Sequence, residues 1–325
     1  MATIRVGNAV PEWVWFDDLY DEASFKLDSH TSNEAVYEDK NGFDIVLSGK
    51  NLDYSGKNIT KGTVESVQFL DDHGKTLIAV TDGNYNAHKL SEALLKHGDL
   101  WDFMTLLTAG DDKIYGTSVG FDLNFGENHG NDIIVAGTGD TAMGGSEGND
   151  TMRGGGGWDS ISFADTYWRG DDKQGIKLDA TKGTIIDSWG DKDKFDNKFE
   201  QFEGSVYGDE MKGSNRDEAF VGYDGADIID GGKGEDGVRY YRDVNYGGDS
   251  GIVVDFSKGT IIDGFGDKDQ VSNIERVYGT AKADTFIGDG RENSFIGLGG
   301  KDSYDGGKGT DAVGFQFWND IVSTV

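Results

Sequence analysis

Residues 204–239 read GSVYGDEMK, GSNRDEAFV, GYDGADIID and GGKGEDGVR when they are divided into nines. Residues 279–314 divide in the same way into GTAKADTFI, GDGRENSFI, GLGGKDSYD and GGKGTDAVG. Every nonapeptide of these two arrays begins with glycine, and its eighth position carries an apolar or aromatic side chain. A fixed period in two separate stretches predicts a repeat architecture in which each unit packs mainly on its neighbours.

A third and looser array covers residues 127–162, where the fourth position of every nonapeptide is glycine. The segments between arrays also repeat, because TKGTIIDSWGDKDKF at 181–195 matches SKGTIIDGFGDKDQV at 257–271. The chain therefore contains a tandem module of about 76 residues, of which the arrays are one part. A glycine-rich and aspartate-rich linker, the alternative interpretation, accounts neither for this register nor for the apolar eighth positions.

The residue types of one nonapeptide predict its local structure. Glycines in the first half allow a tight turn, and the second half is long enough for a strand of about three residues with one inward apolar side chain. Two nonapeptides then complete one coil, and successive coils stack their strands into two parallel sheets. The sixth position places a carboxylate in each turn beside the turn of the next coil, where stacked carboxylates favour Ca²⁺ as a shared partner.

This geometry predicts which sixth positions are stacked. The first and third nonapeptides of an array share one edge of the sheets, which pairs Asp132 with Asp150, Asp209 with Asp227, and Asp284 with Asp302. The opposite edge pairs Thr141 with Asp159, Glu218 with Asp236, and Asn293 with Asp311. The first edge has Asp at both positions of every pair, so we expect it to bind Ca²⁺ more tightly.

The motif GGxGxDxUx resembles the RTX (repeats-in-toxin) calcium-binding repeat over roughly residues 107–314. The resemblance implies a mainly β protein with a right-handed parallel β-roll, in which several Ca²⁺ ions bind Asp carboxylates and carbonyls of the glycine loops. The implied carboxylate ligands are Asp132, Asp150, Asp159, Asp209, Asp227, Asp236, Asp284, Asp302 and Asp311, with Asp112 from the outlying LTAGDDKIY. The implied loop glycines are Gly145, Gly148, Gly154, Gly157, Gly222, Gly225, Gly231, Gly234, Gly297, Gly300, Gly306 and Gly309.

Composition agrees with a roll that depends on cations. The 325 residues include 51 Gly, 1 Pro and no Cys, and 60 acidic against 30 basic residues give a net charge of −30. Such a charge disfavours nucleic acid and anionic membrane surfaces as partners, while 38 aromatic residues are too many for a disordered chain. Without cysteine, disulfides cannot stabilise the fold, and metal ions become the expected substitute. No run is long enough to cross a membrane, so membrane insertion is not expected.

Residues 1–106 lack the repeat and predict a small α+β cap domain. Alternation at 43–49, 63–70 and 75–80 indicates β-hairpins, and apolar residues from Leu90 to Leu107 have helical spacing with a break at Gly98, where Asp99 would cap a second helix. The β-roll is expected over 107–314, and 315–325 as a terminal cap or export tail. The N-terminus has no cleavable signal pattern. The resemblance implies export from the cell by the type I route.

Sequence motifs give little support for catalysis. Two strings match GxSxG, at 116–120 and 144–148, but neither lies in a predicted strand-to-helix turn, and the five histidines form no HExxH. Tyr240, Tyr241 and Tyr246 (with Tyr167 and Trp168 in the other spacer) could stack on sugars or cover the flank of the roll. We therefore expect a non-enzymatic, secreted Ca²⁺-binding protein for surface, matrix or glycan adhesion. The alternative is an exported polysaccharide-active enzyme that uses the roll for folding and secretion.

Overall fold

A computed structural model describes residues 1–11, 20–21, 24–97, 100–123, 129–164 and 174–314. The chain forms two compact units, residues 1–159 and 160–325. The sequence-based divisions at 106 and 314 do not coincide with this boundary and stay predictions. Asp99, Tyr167, Trp168 and the tail 315–325 lie outside the described residues.

The first unit opens with an antiparallel sheet built from alternating sequences. Its strands run in the order β2, β3, β4, β5, β6, β1, with a short β7 beside β5. Their bounds are β1 Thr3–Val6, β2 Lys26–His30, β3 Glu34–Glu38, β4 Asp44–Ser55, β5 Asn58–Leu70, β6 Thr76–Thr81 and β7 Tyr85–Asn86. The alternation noted in the sequence thus corresponds to β4, β5 and β6, and one face of this sheet is buried.

Two short helices cover that face. Helix α1 spans Ala87–Glu92 and continues into a π-helical turn at Ala93–His97, and α2 spans Leu100–Leu107. The apolar residues that predicted these helices are buried, and the Phe103 ring of α2 meets Phe69 of β5 edge to face at 5.9 Å. Tyr37 Oη donates to Ser91 Oγ over 2.9 Å, and Ser91 Oγ also accepts from Ile59 N–H over 3.1 Å, so these buried polar groups are paired.

The antiparallel sheet continues directly into the first coils of the roll. Strand β1 pairs in parallel with β8 (Lys113–Tyr115), which pairs with β10 (Ile133–Val135), which pairs with β12 (Thr151–Arg153). On the other side of these coils, β9 (Phe121–Asp122) pairs with β11 (Thr141–Met143). The N-terminal strand therefore occupies the edge of β8 that would otherwise expose unpaired backbone groups.

The second unit contains two sheets that the chain visits alternately. One is parallel throughout, and its strands in this unit are β13 Asp159–Ser162, β17 Gln201–Glu203, β19 Ala219–Val221, β21 Gly237–Arg239, β25 Arg276–Tyr278, β27 Ser294–Ile296 and β29 Ala312–Gly314. We call it sheet B. The opposing sheet A contains the parallel strands β18 Glu210–Lys212, β20 Ile228–Asp230, β26 Thr285–Ile287 and β28 Ser303–Asp305. Glu210 faces Ile228 and Ala219 faces Gly237, so one coil takes 18 residues, or two nonapeptides.

Each repeated spacer forms a three-stranded antiparallel insertion in sheet A. The first consists of β14 Lys177–Asp179, β15 Thr184–Ile186 and β16 Lys192–Phe195, and the second of β22 Val253–Asp255, β23 Thr260–Ile262 and β24 Lys268–Ser272. The second insertion lies between β20 and β26, with β24 parallel to β20 and β22 parallel to β26. Sheet B has the single strand β25 at the same level.

Most eighth positions fill the space between the sheets, while in the last array Tyr304 is half-buried and Val313 is 40% exposed. Met211, Phe220, Ile229 and Val238 are each at most 1% exposed, and the Phe286 ring packs against Phe295 at 5.2 Å between centroids with the ring planes tilted by 34°. Such a core is only one apolar layer thick, which is why each coil depends on its neighbours. The fold is mainly β, and it is the parallel β-roll that the repeat predicts.

Candidate metal centre

The sixth-position carboxylates form a ladder along the edge where the chain enters sheet A. In the second unit, the backbone N–H of Asp209 donates to Asp227 Oδ1 over 2.9 Å, and that of Asp227 donates to Asp269 Oδ1 over 3.0 Å. After the insertion the ladder resumes, and Asp284 N–H donates to Asp302 Oδ1 over 3.0 Å. Each carboxylate therefore fixes the turn of the preceding coil.

The first unit has the same arrangement. Ala2 N–H donates to Asp112 Oδ1 (2.6 Å), Asp112 N–H to Asp132 Oδ1 (2.8 Å) and Asp132 N–H to Asp150 Oδ1 (2.7 Å). The outlying Asp112 thus lies in line with the array, and the stacking of Asp132 on Asp150 follows the predicted register. All three side chains are at most 3% exposed.

The edge where the chain enters sheet B is less uniform. Glu218 N–H donates to Asp236 Oδ1 (2.8 Å), and Asp236 N–H donates to Glu275 Oε2 (3.1 Å). Farther along, Asn293 N–H donates to Asp311 Oδ1 over 3.0 Å. In the first unit, Asp159 Oδ2 accepts from Gly155 N–H over 2.7 Å, and Thr141 is buried. This edge was expected to lack one standard Asp per pair, but Glu275 gives it a third carboxylate next to Asp236.

Glycine at the first position makes room for the carboxylate. A Cβ on Gly222 would lie 1.9 Å from Asp227 Oδ2, and one on Gly231 would lie 2.2 Å from the Asn273 carbonyl oxygen and 2.9 Å from Asp236 Oδ2. Comparable contacts occur at Gly297 with Asp302 and at Gly306 with Asp311. The first position is therefore a cradle between carboxylate and backbone, which a side chain would fill.

Glycine at the fourth position serves a different purpose, because it turns the chain with positive φ. The φ values are +111° at Gly225 and +137° at Gly234. The same holds for Gly148, Gly157, Gly300 and Gly309. Gly145 and Gly154 occupy the first position in loops after β11 and β12. All twelve predicted loop glycines thus lie in the turns that carry the ladders.

Burial and mutual repulsion oppose ionisation of these carboxylates. Burial, and then the neighbouring Asp209 and Asp269, raise the pKa of Asp227 well above its usual range. Burial raises the pKa of Asp132 to about 8, with a further contribution from Asp150, and that of Asp236 to about 7. Stacked carboxylates therefore bind protons near neutral pH unless a cation takes their place.

Unpaired buried oxygens test whether a cation fits. Within the described part of the chain, Asp112 Oδ2, Asp227 Oδ2 and Asp236 Oδ2 are buried and have no hydrogen-bond partner, while the second oxygen of each side chain accepts a backbone N–H. An oriented carboxylate oxygen next to glycine-loop backbone is a ligand that Ca²⁺ prefers. Among the described residues no three acidic or histidine side chains form a group that could hold a metal. Backbone carbonyls of the glycine loops and water would therefore complete the coordination, and the ladder residues fit calcium on that basis.

Asp269 and Glu275 extend the two ladders and were not recognised in the sequence. They follow Asp227 and Asp236 by 42 and 39 residues. These separations differ from the 18 residues of one coil, so the repeat spacing does not predict them. The signal that could have found Asp269 is the match between GDKDKF and GDKDQV, which places Asp193 and Asp269 at equivalent positions of the two spacers. Both are buried.

The proposed sugar-stacking tyrosines have unequal positions. Tyr240 is 2% exposed and donates to Asp269 Oδ2 over 2.7 Å, so it is part of the core and cannot stack on a sugar. Tyr246 packs against Tyr223 at 4.6 Å, and Tyr241 is half-buried. Packing against the roll is therefore the better account of Tyr240 and Tyr246. Both GxSxG strings lie in turns between short strands, without the strand-to-helix elbow a nucleophile needs.

A parallel roll of glycine turns with buried, stacked carboxylates defines a class of calcium-binding β-roll proteins. Within that class, residues 145–165, 212–239 and 278–313 match the family model of the RTX calcium-binding nonapeptide repeat. The chain thus carries calcium-binding repeats of the RTX type, which are typical of secreted proteins. A search of curated proteins found no match to the chain. No helix in the described part of the chain has the length and apolar character to cross a membrane.

Proposed function

We propose that the protein is secreted by the type I route, folds its roll on calcium outside the cell, and acts without catalysis in surface, matrix or glycan adhesion. The observation that supports this best is the pair of ladders, whose buried carboxylates need cations to coexist at neutral pH. Calcium would neutralise them and tie successive coils together, with Asp carboxylates and loop carbonyls as ligands.

Exposed aromatic side chains on the repeat turns support an adhesive role. Trp158 is 43% exposed in the turn before β13, and Tyr207 is 42% exposed in the turn before β18. Both are held at positions of a tightly hydrogen-bonded turn, where a flat ring can stack on a sugar with little loss of conformational freedom. They replace Tyr240 as the residues that we expect to contact a glycan.

A glycan array separates adhesion from the enzymatic alternative. The full-length chain is applied with about 5 mM Ca²⁺, a concentration chosen to saturate weak extracellular calcium sites. The measurement is then repeated with chelator. Calcium-dependent retention that falls in Trp158→Ala or Tyr207→Ala supports adhesion. Release of new reducing ends from an array polysaccharide, with no retention, supports the exported enzyme and overturns the proposal.

A further inference from the structure

The second spacer insertion encloses two carboxylates that do not belong to the nonapeptide arrays. Asp243 begins a 3-10 helix at Asp243–Tyr246, and Asp263 begins the turn that joins β23 to β24. Both side chains are 0% exposed. Asp243 Oδ1 and Asp263 Oδ2 are buried and have no hydrogen-bond partner among the residues that the structure describes. A buried carboxylate oxygen in this state requires a proton or a cation.

Backbone contacts fix the orientation of both carboxylates. Asp263 Oδ1 accepts the N–H groups of residues 265–267 at 3.0, 2.7 and 2.8 Å. Asp243 Oδ2 accepts from Gly264 N–H over 3.1 Å, directly beside Asp263 in the chain. Each carboxylate thus has one oxygen that is hydrogen-bonded to the same hairpin turn and a second oxygen that remains available to a ligand.

Two glycines allow this close approach. A Cβ on Gly264 would lie 2.9 Å from Asp243 Oδ2, and a Cβ on Gly248 would lie 2.7 Å from the Asp243 Cβ. Ser250 N–H also donates to the Gly264 carbonyl over 3.0 Å, which ties the segment after the 3-10 helix to the turn. The two segments are therefore packed backbone against side chain, without space for a longer residue between them.

The surroundings of this pair are acidic. Burial, together with the neighbouring carboxylates of Asp263 and Asp269, raises the pKa of Asp243 to about 8. Burial likewise raises the pKa of Asp263 to about 6, with Asp267 adding to the shift. Within the described residues of the second unit, the observed ion pairs include neither Asp243 nor Asp263. Among the described residues, therefore, no basic side chain forms an ion pair with either carboxylate.

The first spacer insertion repeats the arrangement around one of the two residues. Asp187 is 0% exposed, and its Oδ1 accepts from the N–H groups of residues 189–191. Its Oδ2 is buried and has no partner among the described residues. It corresponds to Asp263 in the matching spacers TKGTIID and SKGTIID. Asp187 and Asp263 thus each present an oriented, unpaired carboxylate oxygen at the same position of the two spacer hairpins. The repetition indicates that this feature belongs to the hairpin sequence.

We propose that Asp243 and Asp263 bind a divalent cation, Ca²⁺ by donor type, at a site separate from the nonapeptide turns. Two carboxylates balance the charge of one such ion, and neutral oxygens from backbone or water complete its shell. The ion would join the 3-10 segment to the hairpin and so fix the insertion. This site goes beyond the proposed function, because neither residue lies in an array or in the matched repeat segments.

Equilibrium dialysis of the full-length chain against radioactive Ca²⁺ counts the ions bound at saturation. The double variant Asp243→Asn, Asp263→Asn keeps the shape of both side chains and removes their charge, and we expect it to bind one ion fewer. Asp249→Asn, at an exposed position of the same segment, is the matched control and should bind as many ions as the unaltered chain. An unchanged count in the double variant overturns the inference and means that the pair holds a proton.

If the double variant fails to fold, circular dichroism in saturating Ca²⁺ will show it. In that case a second measurement, made on the unaltered protein, tests the site. Crystals of the unaltered protein grown in Ca²⁺ are measured at a wavelength where calcium scatters anomalously. A peak between Asp243 and Asp263 supports the site. Peaks confined to the nonapeptide turns overturn it while leaving calcium binding by the repeats intact, and the two proposals therefore fail separately.

Discussion

The antiparallel sheet near the N-terminus and the coils of the second unit bury different kinds of side chain. Strand β5 alone buries Ile59, Val64, Val67 and Phe69, whereas β20 buries one apolar side chain, Ile229, and follows directly on the buried Asp227. Burial of one aliphatic or aromatic side chain contributes about 1.5–3 kcal/mol, and burial of an unpaired carboxylate opposes folding by a comparable or larger amount. We therefore expect the first region to fold without cations and the second to depend on them.

Removal of calcium should have the largest effect and is the most direct test of this contrast. In excess chelator at pH 8, we expect amide hydrogens of β18, β20 and β26 to exchange almost freely, while those of β4, β5 and β6 stay protected. Hydrogen exchange read by mass spectrometry locates the change. Equal protection of both regions without calcium would show that the coils need no cation.

Loss of one ladder carboxylate should have the next largest effect. Asp227→Ala is expected to raise the calcium midpoint of folding by about tenfold or more, because it removes an unpaired oxygen between Asp209 and Asp269. Asp236→Ala should have a smaller effect, since its neighbours Glu218 and Glu275 are longer and lose more conformational freedom when they bind an ion.

Calcium titrations followed by circular dichroism measure both midpoints. Asp249→Ala, which alters an exposed carboxylate, controls for the change in net charge and should leave the midpoint within about twofold. Equal shifts for Asp227→Ala and Asp236→Ala would mean that Glu275 makes the two edges equivalent, and the ranking from the sequence would then be wrong.

A methyl group in the cradle should weaken one site without removing its carboxylate. Gly222→Ala places a Cβ 1.9 Å from Asp227 Oδ2, so the side chain must move, and we expect a midpoint increase of several-fold. Gly290→Ala is the matched control, because its Cβ meets no atom within 4 Å. The two variants are compared by the same titration. Similar midpoints would show that the first glycine has no part in the site.

Acidification should produce the smallest effect, and its sign follows from the raised pKa values. The calcium-free roll has carboxylates with pKa values of about 7 to 8, against about 4 in the unfolded chain, so the folded state binds more protons between pH 8 and pH 4. Lowering the pH from 8 to 5 should therefore stabilise the calcium-free coils and weaken calcium binding. Circular dichroism in chelator at both pH values tests this, and a loss of β signal on acidification would contradict it.

The sequence predicted the features that a short period controls. The register of Asp209 with Asp227 and of Asp284 with Asp302, the 18-residue coil and the inward eighth positions all follow from alternation and glycine placement. Local rules suffice there, because each turn and strand is determined within nine residues. The strands of the N-terminal region also follow the alternation in its sequence.

The insertions could not be predicted in the same way. The sequence showed that the spacers repeat. The three-stranded antiparallel insertions, however, change the number of residues between adjacent coils. Asp269 and Glu275 can therefore be identified as the ladder neighbours of Asp227 and Asp236 only from the pairing of the strands. The burial of Tyr240 likewise depends on its contact with Asp269, 29 residues away. Long-range pairing of this kind leaves no periodic signal in the chain.

The ladder has a further consequence for how the chain responds to calcium concentration. Each carboxylate accepts an N–H from the preceding coil and therefore contacts two coils at once. An ion that binds at one coil then also helps to order the neighbouring coil. Coupling between neighbours makes binding cooperative, with a Hill coefficient above one. We therefore expect the protein to pass from unfolded to folded over a narrow range of calcium concentration. It would then distinguish a calcium-poor from a calcium-rich compartment without a graded response to the concentrations between them.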